Sequence, residues 1–180
     1  MRKGWFNESY RHYLASKGIS TNRYFAKKQK HLKIRYEDPL YNRKYPITPG
    51  EAKRVVESIP DTKGIKEVRF QNPQDKHQKD AYAQFMRGDK KIAIFSQPVS
   101  NFNGKHYFVE KNKKINPNQL KHFMKDKVIP HEVGHFKSLR DCPTDKNIKM
   151  AEARAEASRL NADYKDDKVV KQYINNSTFA

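Results

Sequence analysis

His131 and His135 stand four residues apart inside an apolar frame made by Val128, Ile129, Val133, Phe136 and Leu139. The frame repeats with the period of an amphipathic helix, so both imidazoles project from one face. Two imidazoles at that spacing can bind one metal ion. This constrains the fold more than any other part of the chain. The helix must be half-buried, one face must stay open, and a second element must approach it. Glu132 is turned about 100° around the helix from His131. Its carboxylate therefore stands beside a metal rather than on it, where it can take a proton from a bound water. Gly134 leaves room for a neighbouring element to pack closely.

A catalytic zinc site needs a third protein ligand and an open position. Cys142 is the only cysteine, which excludes an intramolecular disulfide and a Cys-based cluster. The next helical segment, about 147–164, is rich in Ala and offers Glu152 and Glu156 at i and i+4, on one face. Lys149 and Arg159 each stand three residues from one of them, so ordinary ion pairs compete as an explanation. The position of the pair, one short break after the histidines, favours the ligand reading.

His131-Glu132-x-x-His135 followed by Glu152-x-x-Ala155-Glu156 resembles the gluzincin metallopeptidases, above all the compact minigluzincin and ImmA/IrrE-like domains. The resemblance covers roughly residues 48–164. It implies one catalytic zinc ion held by His131, His135 and Glu152, with Glu132 as general base. It places Glu156 behind the ligands, at a position usually held by Asp or Asn. Pro130 directly before the motif is a departure from the pattern. The implied fold class is α+β: a small, twisted, mainly antiparallel sheet packed on the motif helix and the Glu-bearing helix. The implied reaction is hydrolysis of a protein or peptide substrate.

The rest of the chain fits such a core. Thr48 and Glu51 form a capping box with Pro49 in the first turn, and Ala52, Val55, Val56 and Ile59 give the helix an apolar stripe up to Pro60. Glu67 to Gln71 alternates like a strand. Ala81 to Met86 and Ile92 to Ser96 flank Arg87-Gly88-Asp89-Lys90, a hairpin signal, and Tyr107 to Val109 follows an Asn-Gly turn. Pro117 can open a helix ahead of the motif. A sheet edge near Tyr107 or Ile92 is expected to pair with the substrate main chain. His106, Tyr107, His122 and Tyr164 are the candidate donors to an oxyanion.

The organisation read from this pattern is a basic, aromatic-rich segment 1–47, a core 48–164 and a polar tail 165–180. The net charge is +18, and residues 1–36 hold ten Lys or Arg against one acid, Glu8, with Trp5, Phe6, Tyr10, Tyr13, Tyr24 and Phe25 recurring among the cations. That composition suits nucleic acid as a partner for residues 1–36. It also supports the alternative function, a nucleic-acid-binding or regulatory protein on a metallopeptidase-like scaffold with little or no hydrolysis. The single cysteine fits a reducing cytosol. No apolar run approaches membrane-spanning length, so a cytoplasmic protein without membrane attachment is expected.

Overall fold

Thr48 opens a helix for a reason visible in its side chain. Its hydroxyl oxygen accepts the Glu51 N–H at 3.2 Å, which caps the helix, and the hydroxyl donates to Glu51 Oε1 at 2.7 Å, which holds the cap in place. The structure is a computed structural model and describes residues 32–174. In chain order, β1 (Lys33–Tyr36) and β2 (Arg43–Lys44) precede this helix, α1 (Pro49–Ser58). Then come β3 (Glu67–Gln71), the short α2 (Lys76–Lys79), β4 (Ala83–Met86), β5 (Lys91–Phe95), β6 (Gln97–Phe102), β7 (Lys105–Glu110) and β8 (Lys113–Ile115). The last stretch is helical: α3 (Pro117–Phe123), a π-helical turn at Met124–Val128, α4 (Ile129–Asp141), α5 (Ile148–Arg159) and α6 (Asp167–Lys171).

The strands form two four-stranded sheets, ordered β1-β3-β5-β4 and β2-β6-β7-β8. The architecture is mixed α and β, as expected. A single, mainly antiparallel sheet is not what forms. In the first sheet β1, β3 and β5 are parallel, and only β4 runs against its neighbour. The cause is connectivity: the chain returns from β1 to the start of β3 through β2 and α1, and from β3 to the start of β5 through α2 and β4, and such crossovers yield parallel pairs. The second sheet is antiparallel throughout.

Alternation along the first sheet decides which face meets the helices. Val68 pairs with Ile92 and Phe70 with Ile94, while Phe85 and Ala83 oppose the same two isoleucines from β4. These residues share one face and form the core with Ala52 and Val56 of α1, Met124 and Val128 of the π turn, and Ile129, Val133 and Phe136 of α4. Phe70, Ile92 and Ile94 are completely buried, each stabilising the fold by about 1.5–3 kcal/mol.

Two expected boundaries move. Part of the segment assigned to the basic arm belongs to the sheets. Ile34 pairs with Val68, Arg43 with Pro98, and the Tyr45 ring meets Phe70 edge-on at 5.1 Å. Lys33 and Arg35 alternate with Ile34 and Tyr36, so this edge strand carries its charges on an exposed side and reads like an arm. Part of the expected tail also folds back: Val170 of α6 is buried against Ala153 and Ala157 of α5. The expected helix over 147–164 ends at Arg159, just before Asn161 turns into the left-handed region at φ 58°. Residues 1–31, and with them most of the proposed nucleic-acid segment, lie outside the described residues, as do 175–180. No helix among the described residues is long and apolar enough to cross a membrane.

Candidate metal centre

The helix that carries the histidines begins irregularly. Pro130 has no N–H to offer the carbonyl four residues earlier, Asp126 O. The chain takes one π turn, in which the Ile129 N–H bonds to Met124 O, before continuing as α4. The π turn thus accommodates Pro130 inside a helical run that continues from α3 into α4.

From there α4 lies against α5, and Gly134 sets how close they come. A Cβ on Gly134 would stand 2.4 Å from the Ala155 carbonyl oxygen and 3.0 Å from its Cα. Ala153, Ala155 and Ala157 are fully buried on the facing helix. Small residues on both sides bring the Glu152 carboxylate to the histidines.

The result is a convergent donor set. His131 Nε2 lies 2.8 Å from Glu152 Oε2, and His135 Nε2 lies 3.1 Å from Glu152 Oε1. One donor atom from each of His131, His135 and Glu152 falls within 4.8 Å of the others. Two nitrogens and an oxygen on a tetrahedral zinc would stand roughly 3.4 Å apart, given metal–ligand distances near 2.1 Å. The three residues could hold a metal ion, with donor shifts on the order of an ångström. His131 is buried, while His135 and Glu152 are half-buried, so the cluster opens to one side. Burial works against the Glu152 charge, but hydrogen bonds from both histidines outweigh it and hold its carboxyl down at about 2. Glu152 is therefore an anion, as a ligand must be.

Behind the cluster stands Glu156. Its Oε2 lies 3.0 Å from His131 Nδ1, on the ring edge opposite Glu152. Arg159 holds the same carboxylate: its Nε donates to Oε1 at 3.1 Å and Oε2 at 3.0 Å, and Nη2 donates to Oε1. Burial opposes ionisation of Glu156, and the bonds from Arg159 and His131 overcome it, so its pKa lies below the ordinary carboxylate value. Arg159 Nη1 also reaches Asp126 O at 3.5 Å, the carbonyl that Pro130 cannot serve. The sequence reading treats Arg159 only as a competing ion-pair partner and misses this double contact, because Asp126 is distant along the chain.

Glu132 stands outside the donor set but near it, close enough for its charge to interact with His135 and Glu152. Its Oε2 accepts the backbone N–H of Phe85 at 2.6 Å. Burial raises its carboxyl to about 7, against the lowering effect of His135 and of the Phe85 N–H. Phe85 belongs to β4, one of the two outer strands of the first sheet. This corrects the expected substrate edge. Ile92 lies on β5 between β3 and β4, and Tyr107 lies on β7 between β6 and β8, so neither strand is an edge. The hairpin signal identified β4 and β5 as partners, but not which of them is outermost.

The four candidate oxyanion donors are scattered. Tyr164 donates its hydroxyl to Asp141 at the last residue of α4, about 9 Å along the axis from His135. Burial and Asp141 push that phenol up to about 12. His106 and Tyr107 line a groove of about 250 Å³ with Lys44, Pro117 and Lys121. His122 is exposed on α3. No family model, curated protein or solved structure matches the chain.

Proposed function

We propose that the chain is a zinc-dependent metallopeptidase, with His131, His135 and Glu152 as the metal-holding residues. The observation that carries this reading is the convergence of those three donors beside Glu132, a buried carboxyl that touches an outer strand of a sheet. Zinc bound there would supply Lewis-acid polarisation of a peptide carbonyl and would acidify a water molecule.

The protein's own groups account for the remaining work. Glu132, with a carboxyl near 7, is suited to accept a proton and return it to a departing amine close to neutral pH. The Phe85 N–H bond fixes its position. Glu156 orients His131 through Nδ1, which leaves Nε2 directed at Glu152. Beyond the Phe85 N–H, which Glu132 already takes, the outer edge of β4 can pair with an extended peptide. Elemental analysis of protein purified without chelators, run beside a casein or peptide digestion, tests the proposal. About one zinc per chain and chelator-sensitive cleavage are expected. Zinc without cleavage would favour the regulatory alternative, and no zinc would remove the site.

A further inference from the structure

The second sheet has two unlike faces. Directly paired residues of an antiparallel sheet point to the same side. Phe102 pairs with Lys105, Ser100 with Tyr107, Val109 with Lys114, and Arg43 with Pro98. Alternation along each strand puts all eight on one face. The opposite face carries Val99, His106 and Phe108, which share a groove with Pro117 and Lys121 of α3, so that side meets the helices; Tyr107 borders the same groove, although its register places it on the first face.

The first face is built differently. Phe102 is 52% exposed although it is a large apolar residue. The Lys114 ammonium sits 3.7 Å from its ring centroid, a cation–π contact on an open surface. Lys105 and Lys114 are exposed, and Tyr107 is half-buried two residues along from Lys105. No Asp or Glu stands among the eight positions, and Lys111 in the β7–β8 turn adds another cation at the end of the hairpin. Glu110, the one acid of these strands, points to the other side, opposite Lys113.

We infer that this face binds single-stranded nucleic acid, with Phe102 and Tyr107 as stacking platforms and Lys105, Lys114 and Lys111 along the phosphates. The charge complements a polyanion. The rings select among polyanions: an unpaired base offers a π-face to Phe102, which an acidic peptide or a lipid headgroup lacks, and a duplex hides its base faces. Phe102 and Tyr107 stand on adjacent strands in a diagonal relation about 7–8 Å apart, a spacing that neighbouring bases of an extended strand can span. The inference does not rest on the metallopeptidase reading, since none of these residues belongs to the metal cluster.

The test uses the full chain and a fluorescent oligothymidylate of about twenty nucleotides, followed by anisotropy between about 50 and 200 mM salt. Phe102→Ala and Phe102→Leu should each weaken binding about tenfold, since both remove the ring and the second keeps apolar bulk. Lys105→Glu combined with Lys114→Glu should weaken binding and lower the salt slope by at least about one. His131→Ala should bind like the parent, and the thermal unfolding of the surface variants should match it. Unchanged affinity in the Phe102 variants would overturn the proposal. So would equal binding of polyphosphate of the same charge, or binding only to phosphatidylserine vesicles.

Discussion

Glu156 meets His131 at Nδ1, 3.0 Å away, while Glu152 meets the same ring at Nε2, 2.8 Å away. One imidazole is held from both edges by two carboxylates on successive turns of α5. The contacts separate the two glutamates chemically. Glu152 also reaches His135, so it belongs to the donor set; Glu156 instead has Arg159 behind it. Zinc affinity measured by chelator competition should fall severely in Glu152→Ala. It should fall only about ten- to a hundredfold in Glu156→Ala, the usual cost of losing a group that orients a ligand. The reverse order would place the ligand one turn later on α5.

Glu132→Gln is expected to keep zinc and lose at least about a hundredfold in peptide hydrolysis. The glutamine oxygen can still accept the Phe85 N–H, so the fold and the metal site should be preserved. Wild-type rates in this variant would take Glu132 out of the reaction.

Gly134→Ala sets two effects of opposite sign against each other. An alanine inside a free helix would gain about 1 kcal/mol over glycine. Here its methyl would meet the Ala155 carbonyl oxygen at 2.4 Å, and that oxygen is a backbone atom of a packed helix. Overpacking of that kind costs about 1–3 kcal/mol, so net destabilisation is expected in thermal unfolding, together with weaker zinc binding as α5 is pushed from α4. A more stable variant with unchanged zinc affinity would show that the helices separate without disturbing the donors.

Glu51 gives a pH prediction away from the cluster. The Thr48 hydroxyl, followed by Lys125, lowers its carboxyl to about 2. A depressed carboxyl contributes stability that is fully present above its ordinary pKa of about 4.5 and is lost as pH falls through 2. Glu51 joins α1 to Lys121 and Lys125, at 3.5 and 3.0 Å. Glu51→Gln should therefore be less stable than the parent at neutral pH, and the gap should narrow between about pH 4.5 and 2. A gap that stays constant across that range would mean the ionised form is not what stabilises the contact.

The motif helix, the capping box at Thr48 and the β4–β5 hairpin were legible because each rests on neighbours within a few residues. The donor set was legible for a related reason: two helices joined by a short break can hardly avoid meeting. What escaped depends on distant partners. Phe85 became part of the site only because β4 lies outside β5, a matter of sheet order. Arg159 reaches Asp126 across thirty-three residues. Ile34 and Tyr36 fell within the basic segment 1–47, because the parallel partner that makes them a strand lies beyond α1.

That last misreading yields a sharp truncation test. The sequence alone places the start of the core at Thr48, and a chain beginning there should then fold. The structure puts β1 and β2 before it. Leu32 and Ile47 are buried, and Ile34 and Tyr45 pack against the same core. Each fully buried aliphatic side chain is worth about 1.5–3 kcal/mol. The Tyr45 ring contacts both Phe70 and Tyr36, and its hydroxyl donates to Glu37 O at 2.6 Å. Asn72 is tied to the same stretch: its N–H donates to Glu37 Oε2 at 3.0 Å and its side-chain amide to Asp38 O at 2.9 Å. Removing these together takes away most of the roughly 5–15 kcal/mol that holds a domain folded. A chain starting at Thr48 should lack a cooperative thermal transition and bind zinc weakly, even though every proposed ligand is present. In the full chain, Tyr45→Ala should lower the unfolding temperature while zinc still binds. A cooperative, zinc-binding fragment from Thr48 would show that β1 and β2 are dispensable to the core.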